Sequence, residues 1–248
     1  MHRALEEGEF QAWFQPKVDV TTGRTVSAEA LIRWNSAQFG FLTPAAFVPL
    51  FEKNGFIQEL DFYMLEQVCR FLRDRLDRGE PVFPVSINQS RLHGYNDDYL
   101  RRLRETVGHY QIPHELIEME VTESVLLENM ERVEENIGLL RAEGYLVGID
   151  NFGTGYTSLS FLQDVDVDVI KMDRSLLLGA QASEKNLVML RYLVEMSHAM
   201  GMRVVCEGVE TPEQAELVRS LECDMIQGYY CAKPMPEREF AQYLQDGQ

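Results

Sequence analysis

Short runs rich in apolar and β-branched residues alternate with longer amphipathic segments from one end of the chain to the other. Several of the short runs are almost continuously apolar, as strands buried on both faces of a sheet are. The pattern predicts strands with the sequences WFQPKVDV, TVSAEALIRW, VFPVSIN, LIEMEVTE, YLVGID, DVIKMD, RVVCEGVE and DMIQGYY. Repeated strand–helix units within 248 residues favour an α/β fold of the closed (β/α)8 barrel type.

The segments between the strands carry signals for the beginnings and ends of helices. Thr43 and Pro44 are typical of an N-cap and a first helical position, so a helix is expected from there to Gly55. Another helix is expected from Asp61 to Arg78. The remaining helices are predicted around the apolar stripe of Val133, Ile137 and Leu140, over residues 184–200, and after the pair Thr211–Pro212.

The charge and composition of the chain exclude several classes of function. A net charge of −17 repels nucleic-acid polymers and anionic membranes, so we expect neither as a partner. The first residues lack the apolar region of a signal peptide, and no apolar run approaches the roughly 20 residues that span a bilayer. We therefore expect a cytoplasmic protein in which residues 1–248 form one domain and residues 1–9 form a linker helix from an upstream domain.

The cysteines and histidines show no pattern typical of a metal site. The cysteines, which contain no CxxC pair and are expected to be reduced and buried thiols, are Cys69, Cys206, Cys223 and Cys231. The histidines are scattered and form no HExxH motif or other paired spacing. Any metal ion bound by this chain must therefore be held by oxygen ligands.

Most of the predicted strands end in a polar side chain. The residues at these ends are Glu29, Asn88, Glu120, Asp150, Lys171, Glu207 and Gln227. A single acidic residue at a strand end is usually a solvated edge or a helix cap, but packing alone does not favour polar residues at so many corresponding positions. In a barrel the carboxyl ends of the strands meet on one face, where such folds place their active sites.

Part of this set has the chemistry of a cation site. Three negative charges and an amide oxygen would come together in Glu29, Asn88, Glu120 and Asp150. Such a cluster repels itself without a cation, and ligation by oxygen alone suits Mg²⁺ or Mn²⁺ rather than zinc. Lys171 is then a natural contact for a phosphate oxygen. Strand alternation places Arg33 on the same side as Glu29, which makes Arg33 either a second phosphate contact or a surface ion-pair residue.

The loop that follows Asp150 begins NFGTGYTSL. Its GTG is not a phosphate-binding P-loop, because no GxxxxGK[ST] pattern follows it. A glycine-containing loop directly after a candidate metal ligand is placed to move over a substrate.

The chain also carries an ordered set of motifs that is specific to one bacterial family. The motifs are FQPKVDV, AEALIRW, VSINQS, MEVTES, IDNFGTGYTSL, VIKMDRS, CEGVE, IQGYY and AKPMP. With them the chain resembles, over nearly its whole length, the EAL domain, a phosphodiesterase that cleaves cyclic di-GMP. The resemblance implies a modified (β/α)8 barrel in which one strand, at FQPKVDV, is antiparallel to the others.

The resemblance implies a role for each residue that matches a functional position of the family. The ligands of a first Mg²⁺ or Mn²⁺ are matched by Glu29, Asn88, Glu120 and Asp150. Lys171 matches the lysine that orients water and phosphate, and Glu207 matches the proposed general base, so the catalytic set would be Glu29, Lys171 and Glu207. Glu123 matches a glutamate that anchors the loop after Asp150. Nucleotide-binding or site-lining positions are matched by Gln15, Arg33, Glu210 and Gln227.

Asn151 is the main departure from the family pattern, which has a second Asp there that serves a second metal ion. A carboxamide oxygen can coordinate a metal but carries no charge, so a second ion is expected to bind less tightly and turnover to be reduced.

Three functions remain open at this point. The first is hydrolysis of cyclic di-GMP to linear pGpG, slowed at Asn151. The second is a receptor or regulatory module that binds cyclic di-GMP without cleaving it. The third is a barrel glycosidase, for which only Trp13 and Trp34 are available as sugar platforms. Because Asn151 alone is altered among the matched metal and catalytic positions, hydrolysis is favoured over a receptor function. The resemblance further implies a homodimer and an upstream sensory or GGDEF domain.

Overall fold

The computed structural model of the protein describes residues 1–90, 93, 97–122, 130–153, 162 and 165–246. Within these residues, ten strands form one sheet. They are β1 (Phe10–Asp19), β2 (Thr25–Ser36), β3 (Gly40–Leu42), β4 (Val85–Asn88), β5 (Ile117–Thr122), β6 (Leu146–Phe152), β7 (Val169–Met172), β8 (Arg203–Glu207), β9 (Met225–Gln227) and β10 (Met235–Pro236). Eight of them close into a barrel in the order β1–β2–β4–β5–β6–β7–β8–β9, with β9 paired to β1.

Strand β1 is antiparallel to both of its barrel neighbours, β2 and β9. The other neighbouring pairs described in the barrel are parallel. The α/β barrel predicted from the sequence is therefore confirmed, and the antiparallel strand that the resemblance implied is found at FQPKVDV. Strands β3 and β10 lie outside the closed barrel, where they pair with β2 and β1 respectively.

The described helices cover the outside of the barrel. They are α1 (His2–Glu6), α2 (Pro44–Asn54), α3 (Ile57–Asp77), α4 (Asp97–His109), α5 (Met130–Ala142), α6 (Arg174–Ala182), α7 (Glu184–Ala199), α8 (Pro212–Ser220) and α9 (Glu237–Asp246). The apolar stripe predicted on α5 is buried, with side chains 1–4% exposed. Helix α8 begins with the capping box of Thr211 and Gln214, in which each side chain accepts a hydrogen bond from the backbone amide of the other residue.

The structure differs from the sequence prediction at the start of a helix, at the start of a strand and at a helix cap. Helix α3 begins at Ile57 rather than Asp61, because its first turn buries Ile57 and Leu60 in an apolar cluster beside α2. Strand β4 is confined to Val85–Asn88, because Pro84 has no backbone N–H to donate to a sheet. Thr43 occupies the N-cap position of α2, but within the described residues its side chain makes no capping hydrogen bond.

The barrel interior has an apolar side and a polar side below the strand ends. Residues two positions before the polar tips point the same way as the tips, since side chains alternate along a strand. Val169, Val205 and Met225 form a small apolar cluster at this level. On β1, β2, β4 and β5 the same level holds buried polar residues, namely Lys17, Ser27, Ser86 and Glu118, and on β6 it holds Gly148. The main hydrophobic core lies outside the barrel, where the outward faces of the strands meet the helices.

All four cysteines are free thiols. Cys69, Cys206 and Cys223 are buried as predicted, whereas Cys231 is only half-buried. Burial raises the pKa of Cys69 and Cys223 to about 12, so these thiols stay protonated and unreactive at neutral pH. Among the described helices, none combines the length and the apolar character that crossing a bilayer requires.

Candidate active site

The polar strand tips meet around the ammonium group of Lys171, whose side chain is 1% exposed. Its Nζ atom lies within 2.8–3.1 Å of four carboxylates, those of Glu29, Glu120, Asp150 and Glu207. These five residues, called the ring below, come from five barrel strands, β2, β5, β6, β7 and β8. The structure therefore brings together the acidic tips that the sequence pattern singled out, and it places Lys171 at their centre.

Amide side chains hold Glu29 in place on the other side. Asn88 Nδ2 donates a hydrogen bond to Glu29 Oε1 at 2.7 Å, and Gln227 Nε2 donates to Glu29 Oε2 at 2.6 Å. Gln227 Nε2 also donates to Gln15 Oε1 at 3.2 Å, and Gln15 Nε2 in turn donates to the carbonyl of Ala232 at 3.1 Å. Asn88, Gln15 and Gln227 thus belong to the same site as the carboxylates.

Sheet register explains why these residues meet at one level. Gln15 is paired with Glu29, Asn88 with Glu120, and Glu207 with Gln227. Directly after Gln227, Gly228 passes so close to the loop after β8 that a Cβ there would lie 2.1 Å from the carbonyl oxygen of Val209. A glycine is therefore required for the tips of β8 and β9 to lie side by side.

Asp150 and Asn151 lie at an irregularity in β6, where the pairing with β7 shifts register between Ile149 and Phe152. Asn151 has a φ of 57°, in the left-handed region that Asn tolerates better than most residues. Its Nδ2 atom donates a hydrogen bond to Asp150 Oδ2 at 2.6 Å. The bulge thus turns both side chains towards the cavity that the ring residues line.

Two other predicted residues lie at the rim of the site rather than in the ring. Arg33 donates from Nη1 to its neighbouring Ile32 carbonyl at 2.8 Å, and its guanidinium lies 5.6 Å from the ring centre of Trp13. Glu210 accepts two hydrogen bonds from Arg174, at 2.7 and 2.8 Å. Glu210 and Arg174 both line the cavity beside Lys171. The predicted loop anchor, Glu123, and the GTG sequence of the predicted mobile loop lie outside the described residues, apart from Gly153.

The sequence patterns did not single out two charged residues that lie directly beneath the ring. Lys17 Nζ donates to Glu118 Oε1 and to Glu120 Oε1, both at 2.9 Å. Lys17 is 0% exposed and Glu118 is 1% exposed. The alternation of side chains along a strand could have identified both residues. Lys17 stands two positions from Gln15, and Glu118 two positions from Glu120, so each shares a strand face with a predicted site residue.

The pKa values of the ring carboxylates are set by their burial and by their contacts with the two buried lysines. Burial acts to raise the pKa of Glu120, but Lys17 and Lys171 outweigh it and hold this pKa at about 2. Burial raises the pKa of Glu207 to about 7, although Lys171 acts against it. Burial, together with repulsion from Glu120, also raises the pKa of Glu29. Glu120 is therefore ionised at neutral pH, whereas Glu207 lies close to its midpoint of titration.

Two adjoining cavities open onto the ring. One, of about 450 Å³, is polar. Its lining includes four members of the ring and three residues outside it, namely Glu29, Asp150, Lys171, Glu207, Arg174, Glu210 and Tyr229. The other, of about 390 Å³, shares Glu29, Leu31 and Asp150 with the first. Most of its remaining wall is apolar, with side chains from β2, α2 and α3. The pair of cavities suits a ligand with both a charged part and a flat apolar part.

The donor chemistry of the ring fits a hard divalent cation. Within the described residues, five carboxylates (Glu29, Glu118, Glu120, Asp150 and Glu207) face two ammonium groups (Lys17 and Lys171), which leaves an excess of negative charge. Asp150 Oδ1 is buried and makes a charge contact with Lys171, but it has no hydrogen-bond donor among the described residues. Among the described residues, these carboxylates are grouped around the Lys171 ammonium, and no separate cluster of acidic, His or Cys side chains could hold a metal ion. A cation that displaced the Lys171 ammonium from part of this ring would balance the remaining charge.

Fold and site together define an α/β-barrel protein with a buried, carboxylate-rich polar site at the carboxyl ends of its strands. A family model of the EAL domain matches residues 1–234. The chain belongs to the EAL domain family, which confirms the resemblance seen in its motifs.

The chain is similar to longer proteins and to solved EAL domains. It is 37% identical over 227 residues to an uncharacterized protein of Azorhizobium caulinodans, covering 90% of this chain and 31% of that protein. It is 31% identical over 244 residues to the cyclic di-GMP phosphodiesterase NbdA of Pseudomonas aeruginosa, covering 98% of this chain and 31% of that protein. The structure of the PaMucR phosphodiesterase, a c-di-GMP complex, matches with a TM-score of 0.90 and 30% identity, covering 96% of this chain and 97% of that chain. The chain thus spans about a third of the length of these two curated relatives.

Proposed function

We propose that the chain is a metal-dependent phosphodiesterase that hydrolyses one 3′–5′ bond of cyclic di-GMP to give linear pGpG. The observation that carries this proposal is the ring of four carboxylates around Lys171 Nζ at the strand ends of the barrel. The substrate is supported by NbdA, which is named a cyclic di-GMP phosphodiesterase, and by the c-di-GMP complex of PaMucR.

Mg²⁺ or Mn²⁺ is the cofactor that suits this set of donors. The residues that would hold it are Glu29, Asn88, Glu120 and Asp150. Bound there, such an ion would withdraw charge from the phosphate and lower the pKa of water. Asn151 offers a neutral carboxamide, already hydrogen-bonded to Asp150, so a second ion is held less tightly than by an Asp.

The side chains of the ring provide the remaining chemistry. Lys171 supplies positive charge beside a phosphate oxygen, where negative charge accumulates as the bond to water forms. Glu207 is placed to take the proton of the attacking water, and its pKa of about 7 suits a general base near neutral pH. The water oxygen bonds to phosphorus and the bond from phosphorus to the 3′ oxygen breaks. The 3′ oxygen takes up a proton from solvent, and Glu207 releases to solvent the proton that it took from the attacking water.

The two cavities divide the substrate between them. The phosphates lie in the polar cavity, next to Gln15, Gln227 and the Glu210–Arg174 pair at its rim. A guanine base lies in the adjoining cavity, whose largely apolar lining suits the faces of a base. Within the described residues, neither Trp13 nor Trp34 lines these cavities, and this favours a nucleotide over the sugar of a glycosidase substrate.

The direct test is to incubate the purified protein with cyclic di-GMP and Mn²⁺ and to measure pGpG by chromatography. We expect turnover by the wild type and a loss of at least about 100-fold in Glu29→Gln, because one charge of the ring is removed. Glu195→Gln, which changes an exposed carboxylate on α7, serves as the matched control and should hydrolyse like the wild type.

Calorimetric titration of cyclic di-GMP in the same samples separates the two remaining functions. Binding without any pGpG would contradict hydrolysis and support the receptor function. Hydrolysis that persists in the presence of excess EDTA would contradict the role of a metal ion. The homodimer, the upstream sensory or GGDEF domain and the cytoplasmic location stay predictions from the sequence.

A further inference from the structure

Lys17 is a fully buried ammonium group in the barrel interior, one layer below the carboxylate ring. It is carried by β1, the antiparallel strand, and lies far from Glu118 and Glu120 in sequence. A buried ammonium is costly unless it is paired with good geometry. Lys17 meets this condition with two contacts of 2.9 Å, to Glu118 Oε1 and to Glu120 Oε1.

The two oxygens of Glu120 are divided between two lysines. Lys17 binds Oε1 from below at 2.9 Å, and Lys171 binds Oε2 from within the ring at 2.8 Å. The carboxylate cannot rotate without losing one of these contacts. Lys17 therefore fixes which oxygen of Glu120 is directed towards the other ring carboxylates.

Glu118 acts as the counter-ion of Lys17. With Glu118 present, the positive charge of Lys17 is balanced within its own layer, so that the charge of Glu120 remains available to the ring. The barrel leaves space for this pair at Gly148 on β6, where a Cβ atom would lie 3.1 Å from Glu118 Oε1 and 3.7 Å from Glu120 Cγ. The neighbouring strand is thus shaped around the Lys17–Glu118 pair.

We propose that Lys17 is a positioning residue for the metal site. By holding Glu120 Oε1, Lys17 leaves Oε2 directed towards a divalent ion as a single-oxygen ligand. This inference rests on the proposed function, because it assigns Lys17 to the same metal site. Groups that orient a metal ligand typically change metal affinity or activity by about 10–100-fold when they are removed.

The test compares two double variants that each remove one ion pair with a buried cation and leave the net charge unchanged. Lys17→Met/Glu118→Gln removes the pair below the ring. Arg75→Met/Glu80→Gln is the matched control, since Arg75 is 5% exposed and lies 2.9 Å from Glu80 at the end of α3, away from both cavities. The dissociation constant of Mn²⁺ is measured by titration calorimetry, below the melting temperature of each variant and without nucleotide.

We expect Lys17→Met/Glu118→Gln to raise the Mn²⁺ dissociation constant by about 10–100-fold. Arg75→Met/Glu80→Gln should leave it within about two-fold, even where it lowers the melting temperature, because that site is remote. If both variants lose thermal stability and both keep the affinity of the wild type, Lys17 has only a structural role and the proposal is overturned.

A second variant covers the case in which the Met variant does not fold. Lys17→Gln/Glu118→Gln replaces the ammonium with a neutral amide that can still donate to Glu120. The two new side chains fill the space below the ring as a neutral, hydrogen-bonded pair. Its Mn²⁺ dissociation constant should rise by about three-fold or more, and an unchanged value would overturn the proposal. A wild type that neither binds Mn²⁺ nor hydrolyses cyclic di-GMP would instead overturn the proposed function as well, so the two failures are distinguishable.

Discussion

Asn151 donates its side-chain amide to the carboxylate of Asp150, with 2.6 Å between Nδ2 and Oδ2. The two oxygens of Asp150 are thus divided between two partners, since Oδ1 lies 2.8 Å from the Lys171 ammonium. The residue of the family pattern, Asp, has no such donor when ionised and would place a second negative charge next to the first. The backbone would accept it, because Asp tolerates the left-handed conformation that Asn151 adopts at a φ of 57°.

The first prediction concerns Asn151→Asp. In excess EDTA the variant should be less stable than the wild type by about 1–3 kcal/mol, since a hydrogen bond is replaced by repulsion between like charges. With Mn²⁺ its melting temperature should rise more than that of the wild type, and the rate of hydrolysis should increase. Thermal melts and pGpG formation over an Mn²⁺ titration measure these effects. Asn35→Asp, on an exposed part of β2, is the control, and unchanged rates in Asn151→Asp would contradict the role given to position 151.

Lys171→Met is expected to abolish turnover. Removing the ammonium leaves four carboxylates without their common partner, and breaking a buried ion pair in this way costs about 3–5 kcal/mol. Urea unfolding in EDTA measures the loss of stability. Lys185→Met removes an exposed lysine at the start of α7 and should change neither property. A Lys171→Met variant with turnover like that of the wild type would show that Lys171 is not needed for the chemistry.

Stability in the absence of metal should fall as pH rises, because of Glu207. Burial raises the pKa of this carboxyl from its ordinary value of 4.5 to about 7 in the folded protein. The folded state therefore holds the proton more tightly than the unfolded state does. The protonated Glu207 carboxyl therefore contributes its full stabilisation below the ordinary pKa of 4.5, and this stabilisation is lost as pH rises through about 7. Glu29, whose pKa is also raised, acts in the same direction.

The expected change between about pH 5 and pH 7.5 is a loss on the order of 2 kcal/mol in the free energy of unfolding. Urea titrations in EDTA at several pH values measure it. Glu207→Gln should flatten this pH dependence, while Glu195→Gln should retain it. Equal slopes in the wild type and Glu207→Gln would show that Glu207 is not the group responsible.

Gly148→Ala tests the space beside Glu118. Its Cβ atom would lie 3.1 Å from Glu118 Oε1, closer than ordinary van der Waals contact, so the buried Lys17–Glu118 pair must shift. We expect a loss of about 1–3 kcal/mol, measured by urea unfolding. Gly138→Ala, at an exposed position inside α5 where the described atoms leave open space for a Cβ, should instead stabilise the protein by up to about 1 kcal/mol. An equal loss of stability in both variants would show that contact between the new Cβ atom and Glu118 is not the cause.

Much of the site could be predicted from the sequence because strand periodicity is a local property. Glu29, Glu120, Asp150 and Glu207 follow apolar runs directly, and each of them lies in the ring. Other parts could not be predicted in this way. Arg33 shares a strand face with Glu29, yet its guanidinium lies over Trp13 at the rim, because a long side chain is directed by its neighbours as well as by its strand.

The sequence by itself determined the α/β barrel, the antiparallel first strand through the family motifs, and the polar residues at the strand ends. The tertiary structure alone decided that Lys171 lies between four carboxylates and that Lys17 lies beneath Glu120. The physical reason is that alternation assigns each side chain to the inside or the outside of its own strand. Which inward side chains then meet depends on closure of the barrel and on the register of its strands, and these join residues more than a hundred positions apart, as Lys17 and Glu120 are.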